Sequence, residues 1–470
     1  PSPPAPRRTP MPAPPDRRRR LASTATLTAA VGTLLVGLLS PASAYADEAP
    51  SDEISSNVTH VAHVPKPDAV RSTNSDLAFT GDYAIGGNYD GFVVYDISEP
   101  EDPQIVSEVL CPGGQGDVSV SGDLLYFSVD YPRAGTECGA ASVPTTDPDG
   151  FEGIRIFDIS DKANPQYVSA VATDCGSHTN TLVPGKDGEH EYIYVSSYSP
   201  SDRFPNCLPP HDKISIIEVP LAEPAAAAVV GEPELFPDGG HQRTTGCHDI
   251  TVYPERDVAA AACLGDGLLL DIGDPADPRV VDRVQDPNFA FWHSATFTND
   301  GRYVVFTDEL GGGSAATCTE KAGPERGADA VYSLNHEGAS PRLGFRSYYK
   351  LPRHQTETEN CVAHNGSLIP VPGQDFFVQS WYQGGVSVID LTDPDKPEEI
   401  GYFDRGPWNA ESLSTAGSWS AYYYRGHVYS SDIQRGLDVL RLTDARLAEA
   451  EKVRMDEFNP QSQPSFPSAQ

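Results

Sequence analysis

The chain is predicted to be all-β, a seven-bladed β-propeller closed by an N-terminal strand that completes the last blade. Three observations lead there. The stretch GFVVYDISEPEDPQIVS at 91–107 returns from Gly153, Gly267 and Gly385, and more weakly from Ile214, Ala330 and Gly436. Seven copies spaced by roughly fifty residues describe a repeat architecture. Two further strands precede each copy, which makes four strands per repeat, the composition of a propeller blade. Finally, 58–64 (VTHVAHV) alternates like the last strand of a repeat but has no earlier strands of its own. Pairing it with the final repeat, whose own last strand is replaced by helix-like LTDARLAEAEKV, leaves the ring with no open edge.

Taken in order, the chain begins with a Pro/Ala-rich extension. Arg17, Arg18, Arg19 and Arg20 then precede an apolar run at 21–39 that ends in the small-residue sites Ala42-Ser43-Ala44 and Ala44-Tyr45-Ala46. Charge, apolar run and A-x-A site in that order describe a secretory signal peptide over 1–46, with a membrane anchor as the other reading. The arginines are compatible with both the general and the twin-arginine export route. After a short acidic leader and the orphan strand, with 54–64 as the borrowed segment, the blades are expected at 68–110, 111–174, 175–239, 240–286, 287–352, 353–405 and 406–445. The propeller thus spans 54–445, and 446–470 forms a C-terminal tail. Within each unit a glycine opens a β-branched, apolar strand, and Asp-Ile-Ser or its equivalent leads to prolines that stop the ladder. A short outer strand follows.

Removing 1–46 takes away six Arg and one Asp, moving the formal charge from −34 to −39. So acidic a surface repels nucleic acid and anionic membranes, and neither is expected as a partner. The mature protein is expected to be extracellular and monomeric. Its eight cysteines are even in number and contain no CxxC pair, which favours disulfides over thiol exchange or a cysteine zinc knuckle. Their positions beside long loops and hairpins predict Cys111–Cys138, Cys175–Cys207, Cys247–Cys263 and Cys318–Cys361.

A strand followed by DIS or DLT and a proline-bearing loop resembles the LVIVD-repeat family of secreted bacterial β-propellers. The resemblance covers nearly the whole mature chain and implies the fold. It implies no particular activity, since propellers host many chemistries.

Function has to come from a site. In a propeller the innermost strand of each blade starts beside the central channel, and the loop between second and third strands returns to the same face. Aligning the first strands on their apolar pairs puts His178, His248, His293 and His364 at one position in blades three to six. Ser75, Gly116 and Trp419 or Ser420 stand there in the other blades. The second set of loops supplies Asp308, Glu309, Trp381, Tyr382, Asp432, Asp266 and Asp130. Imidazoles facing carboxylates in a channel are a donor set for a transition metal, copper or zinc. The competing reading packs each ring separately between blades.

The histidines are also similar to those of the selenium-binding protein and methanethiol oxidase propellers, in Gly246-Cys-His-Asp, Trp292-His293 and His364-Asn365. That resemblance implies a channel metal. The extended histidine pairs of that family are absent here. Other catalytic patterns fail. The triple glycine at 311–313 has no following Lys, and no G-x-S-x-G occurs. Asn57-Val58-Thr59 fits a glycosylation sequon, and Glu357, Glu359 and Glu411 read as solvated loop carboxylates.

Two functions follow. One is a metal-dependent enzyme, oxidoreductase or hydrolase, acting on a small molecule. His178, His248, His293 and His364 are its metal ligands, and Glu309 or Asp308 is its base. The other is a non-catalytic scaffold whose top face docks an extracellular protein or glycan through Trp381, Tyr382, Trp408 and Tyr131.

Overall fold

The computed structural model describes residues 52–335 and 341–466, so the expected signal peptide lies outside the described residues. Seven antiparallel sheets form the seven blades. Blade three shows the plan: Thr179–Pro184 innermost, then His190–Ser196, Ser215–Pro220 and Ala228–Gly231. In the last blade the outer place is taken by Val58–Pro65, which pairs Gly436–Leu442 from Val58 against Leu442 to Pro65 against Gly436. The borrowed strand therefore closes the ring as the sequence predicts. Glu53–Ile54 adds a fifth strand to blade six.

The repeat unit has a physical basis. At Gly91 the backbone φ is +145°, and a Cβ would come within 1.9 Å of the Val109 carbonyl on the outer strand. Gly436 is the same, with φ +132° and 2.1 Å to Val64 O. Only glycine fits where the third strand starts under the fourth. Each of the seven pairings of third with fourth strand also carries a register shift, including the one made by 58–65, at His60/Ala62. A bulge at that place strengthens the twist of the outer edge.

Alternation along the strands puts apolar side chains between blades. The core is a series of wedges, such as Ile154, Ile156, Leu182 and Ile193 between blades two and three. Val58 from the closing strand packs with Phe403, Leu440 and Leu442. The four disulfides are the four expected pairs. They are the bonds of a protein made for an oxidising compartment. No helix of the described residues is long and apolar enough to cross a membrane.

The described part of the segment read as a tail, 446–466, packs on the propeller. After two short 3-10 turns, Glu457–Phe458 pairs the innermost strand of blade one. The chain then crosses the face opposite the histidines. Asn459 exchanges two hydrogen bonds with the Val120 backbone, Gln461 and Gln463 bracket Val252, and Gln463 clamps Phe297. Sequence reasoning finds no periodicity there because hydrogen bonds to strand ends, made by Asn and Gln, hold this segment down.

Candidate metal centre

Four innermost strands each deliver one imidazole to the channel mouth. Adjacent rings are in contact, with centroids 4.6 Å apart for His178 and His248, 3.9 Å for His248 and His293, and 4.2 Å for His293 and His364. Nε2 of His178 lies 3.0 Å from Nε2 of His248. Nε2 of His293 and of His364 lie 3.9 Å and 3.8 Å from the two oxygens of Glu309. His293, Glu309 and His364 can each offer a ligand atom within 4.8 Å of the others, as can His248, Asp249 and His293. The rings are not splayed into separate clefts.

The opposite ring nitrogens are held from behind. His178 Nδ1 meets Asp130 Oδ2 at 2.7 Å, His248 Nδ1 meets Asp249 Oδ1 at 3.0 Å, and His364 Nδ1 faces the carbonyl of Trp419. Such partners fix ring orientation and aim Nε2 inward. Nδ1 of His293 is buried without a partner. Nε2 of His178 and Nε2 of His248 face each other at 3.0 Å. That contact is stable only when a proton or a cation lies between them.

Burial sets the charge states. It drives His248 and His293 well below the ordinary imidazole range, helped by the neighbouring His178 charge for the first and by His248 and His364 for the second. It takes His364 down to about 3. These rings are neutral near pH 7, the form that binds metals. Burial raises Glu309 to about 8, against a hydrogen bond of 2.6 Å from the Tyr382 hydroxyl. Asp249 is raised to about 7 by the same cause. Buried carboxylates beside neutral imidazoles form a site short of positive charge.

The cavity over the rings measures about 310 Å³ and is walled by Tyr89, Tyr198, Phe291, Tyr382 and Trp419. Glu309 lines it; Asp308 does not. Both Asp308 oxygens accept backbone N–H groups, from Ala290 and Phe291 on one side and Gly327 on the other. The proposed alternative base is therefore a loop anchor, turned away because successive residues of a strand point to opposite sides. Asp266 likewise binds the 241–244 loop through His241 N and Thr244 Oγ1.

Trp381 is fully buried and cannot be a contact residue of the top face, and Tyr382 is inside the cavity. Trp408 and Tyr131 are 48 % and 54 % exposed. Glu359, expected at the surface, is buried and accepts from Thr356 N and Oγ1. Asp249 was missed by the sequence reading, although it directly follows His248; a His-Asp pair at a strand start is the signal that would have found it. A further cluster, His60, His63 and Asp438, sits on the closing strand.

The LVIVD repeat family matches residues 73–110 and 149–173, within the first two blades. Curated proteins contain no sequence match to the chain. Among solved structures the chain is similar to the periplasmic gluconolactonase PpgL of Pseudomonas aeruginosa. The two are 14 % identical over 79 % of this chain and 100 % of that one, with a TM-score of 0.51. It is also similar to the hydrazine synthase of Kuenenia stuttgartiensis, at 12 % identity over 82 % and 99 %, also with a TM-score of 0.51. At such identities the likeness is one of fold alone.

Proposed function

For this LVIVD-repeat β-propeller we propose a transition-metal centre at the channel mouth, copper or zinc, serving the chemistry of a small molecule bound above it. The observation that carries the reading is the pair of inward-facing Nε2 atoms of His178 and His248, backed by carboxylates and adjoining the rings of His293 and His364. His293 would hold the ion, with His364 and Glu309 on one side or His248 and Asp249 on the other completing the donor set, and His178 beside them. Imidazole-rich sets suit copper and zinc. When bound, the ion supplies Lewis acidity, or electron transfer if it is copper.

The protein's own groups do the rest. Asp130, Asp249 and the Trp419 carbonyl orient three imidazoles. Glu309, raised to about 8, holds a proton at neutral pH in the metal-free protein while its Oε1 accepts from the Tyr382 hydroxyl. It is placed to pass that proton to, or take one from, a ligand in the cavity. The aromatic walls frame the space above the rings.

A docking face is the weaker reading, since Trp381 and Tyr382 are withdrawn from the surface and only Tyr131 and Trp408 remain exposed. Elemental analysis of the purified mature protein decides between them. About one equivalent of copper or zinc is expected, and His293→Ala should lose it while remaining folded. A protein that takes up no metal under saturating conditions would refute the centre.

A further inference from the structure

The cavity does not end at the imidazoles. Tyr89, His178 and Tyr198 also line a second compartment of about 330 Å³, bounded further out by Asp130, Tyr131 and Glu152. Glu152 and Asn206 in turn line an open groove beyond it. The three spaces lie side by side along blades two and three, each sharing lining residues with the next.

The lining of the middle compartment has a definite chemistry. Three tyrosines frame it: the Tyr89 ring meets Tyr131 edge-on at 5.9 Å, and Tyr198 meets His178 at 4.9 Å. Two carboxylates face it, and no Lys or Arg lines it. Asp130 is already engaged, with Oδ2 on His178 and Oδ1 on the Gln115 N–H. Glu152 is only part-exposed, and its carboxylate has no ion pair or side-chain hydrogen bond among the described residues. Burial and the neighbouring Asp130 charge raise it to about 7, the mark of a carboxylate short of a cation.

We propose that this compartment binds the ammonium group of a small organic amine, with Glu152 as its counter-ion and the tyrosine rings around its carbon substituents. Aromatic faces attract organic cations, and more strongly when the site is desolvated. A bare metal ion is a poorer fit, since Asp130 and Glu152 belong to none of the groups that bring three donors together. A neutral sugar would leave the two carboxylates repelling each other. The proposal deepens the metal-centre reading by naming a substrate class, and rests on that reading for whatever chemistry follows binding.

Calorimetry at pH 8, where Glu152 is ionised, tests it on the mature protein with metal and after chelation. The probes are benzylammonium, benzyltrimethylammonium, benzyl alcohol and methyl glucoside. Both ammonium ions should bind, and benzyl alcohol at least about tenfold more weakly. Glu152→Gln should weaken ammonium binding by about tenfold at unchanged metal content and with no loss of melting temperature. Tyr131→Ala, at an exposed position, should weaken it by about threefold. Equal binding of benzyl alcohol or the glucoside, or an unaffected Glu152→Gln variant, would overturn the proposal. Ammonium binding in a protein that never takes up metal would leave it standing while the metal centre fell. Metal without ammonium binding would do the reverse.

Discussion

Among the described residues, histidines and carboxylates converge at two places, the channel mouth and the closing strand, and the two differ in everything that decides whether a metal site forms. At the channel mouth His248, His293 and His364 are buried and neutral, and Glu309 and Asp249 are pushed up by burial. At the closing strand, His60 Nε2 and His63 Nδ1 both meet Asp438 Oδ1, at 2.9 Å and 2.8 Å, and Arg405 Nη1 lies 3.1 Å from each oxygen of the same carboxylate. Burial would raise Asp438, but His60, His63 and then Arg405 hold it down to about 2. There the cation is already supplied by the chain. The bulge at His60/Ala62 puts two histidines three residues apart on one side of a strand, and the outcome is a latch on the closing strand.

The largest expected effect is on metal. His293→Ala should abolish stoichiometric copper or zinc, whereas His63→Ala should retain it, both read by elemental analysis. Metal retained by the first variant or lost by the second would erase the distinction between the two groups. Next comes stability. Asp438→Asn leaves Arg405 without its buried counter-charge and should cost roughly 3 kcal/mol in denaturant unfolding. A loss under about 1 kcal/mol would mean that the latch is ornamental.

The two groups should also respond oppositely to pH. Asp438 is depressed, so its contribution is complete above about pH 4 and is lost as pH falls towards 2. Glu309 is raised, so in metal-free protein the folded state keeps a proton that the unfolded chain releases. Stability should then fall as pH rises from about 4.5 to about 8. Melting curves of Asp438→Asn and Glu309→Gln should flatten the acid and the neutral limb respectively; the same limb changing in both would contradict the assignment. The smallest effect is expected of Tyr382→Phe. Removing its hydrogen bond to Glu309 should raise that carboxyl further and cost about 1 kcal/mol, with metal content unchanged. A Glu309 titration that stays in place would show the bond to be unimportant.

Much of this was legible in sequence because the blade repeats itself. Gly91 and its counterparts mark the third strand through a steric requirement, and the alternation that follows assigns faces, so the four histidines could be aligned before their distances were known. What escaped was whatever depends on the last half-turn of a loop. Asp308 and Glu309 are adjacent, and periodicity cannot say which one turns inward where the strand ends. Tyr382 enters the cavity through a backbone φ of +54°, leaving Trp381 to fill the core. Residues 457–466 have no repeat to be compared with, and their role lies in hydrogen bonds to five different blades that only the closed ring brings together.

That crossing segment has a consequence for traffic. By running under the inner strands on the face away from the histidines, and by tying Gln461 to Asp76, it lays side chains across the far end of the ring. Passage through that end would have to displace side chains that the blades hold by hydrogen bonds, so the histidine side is the easier way in and out.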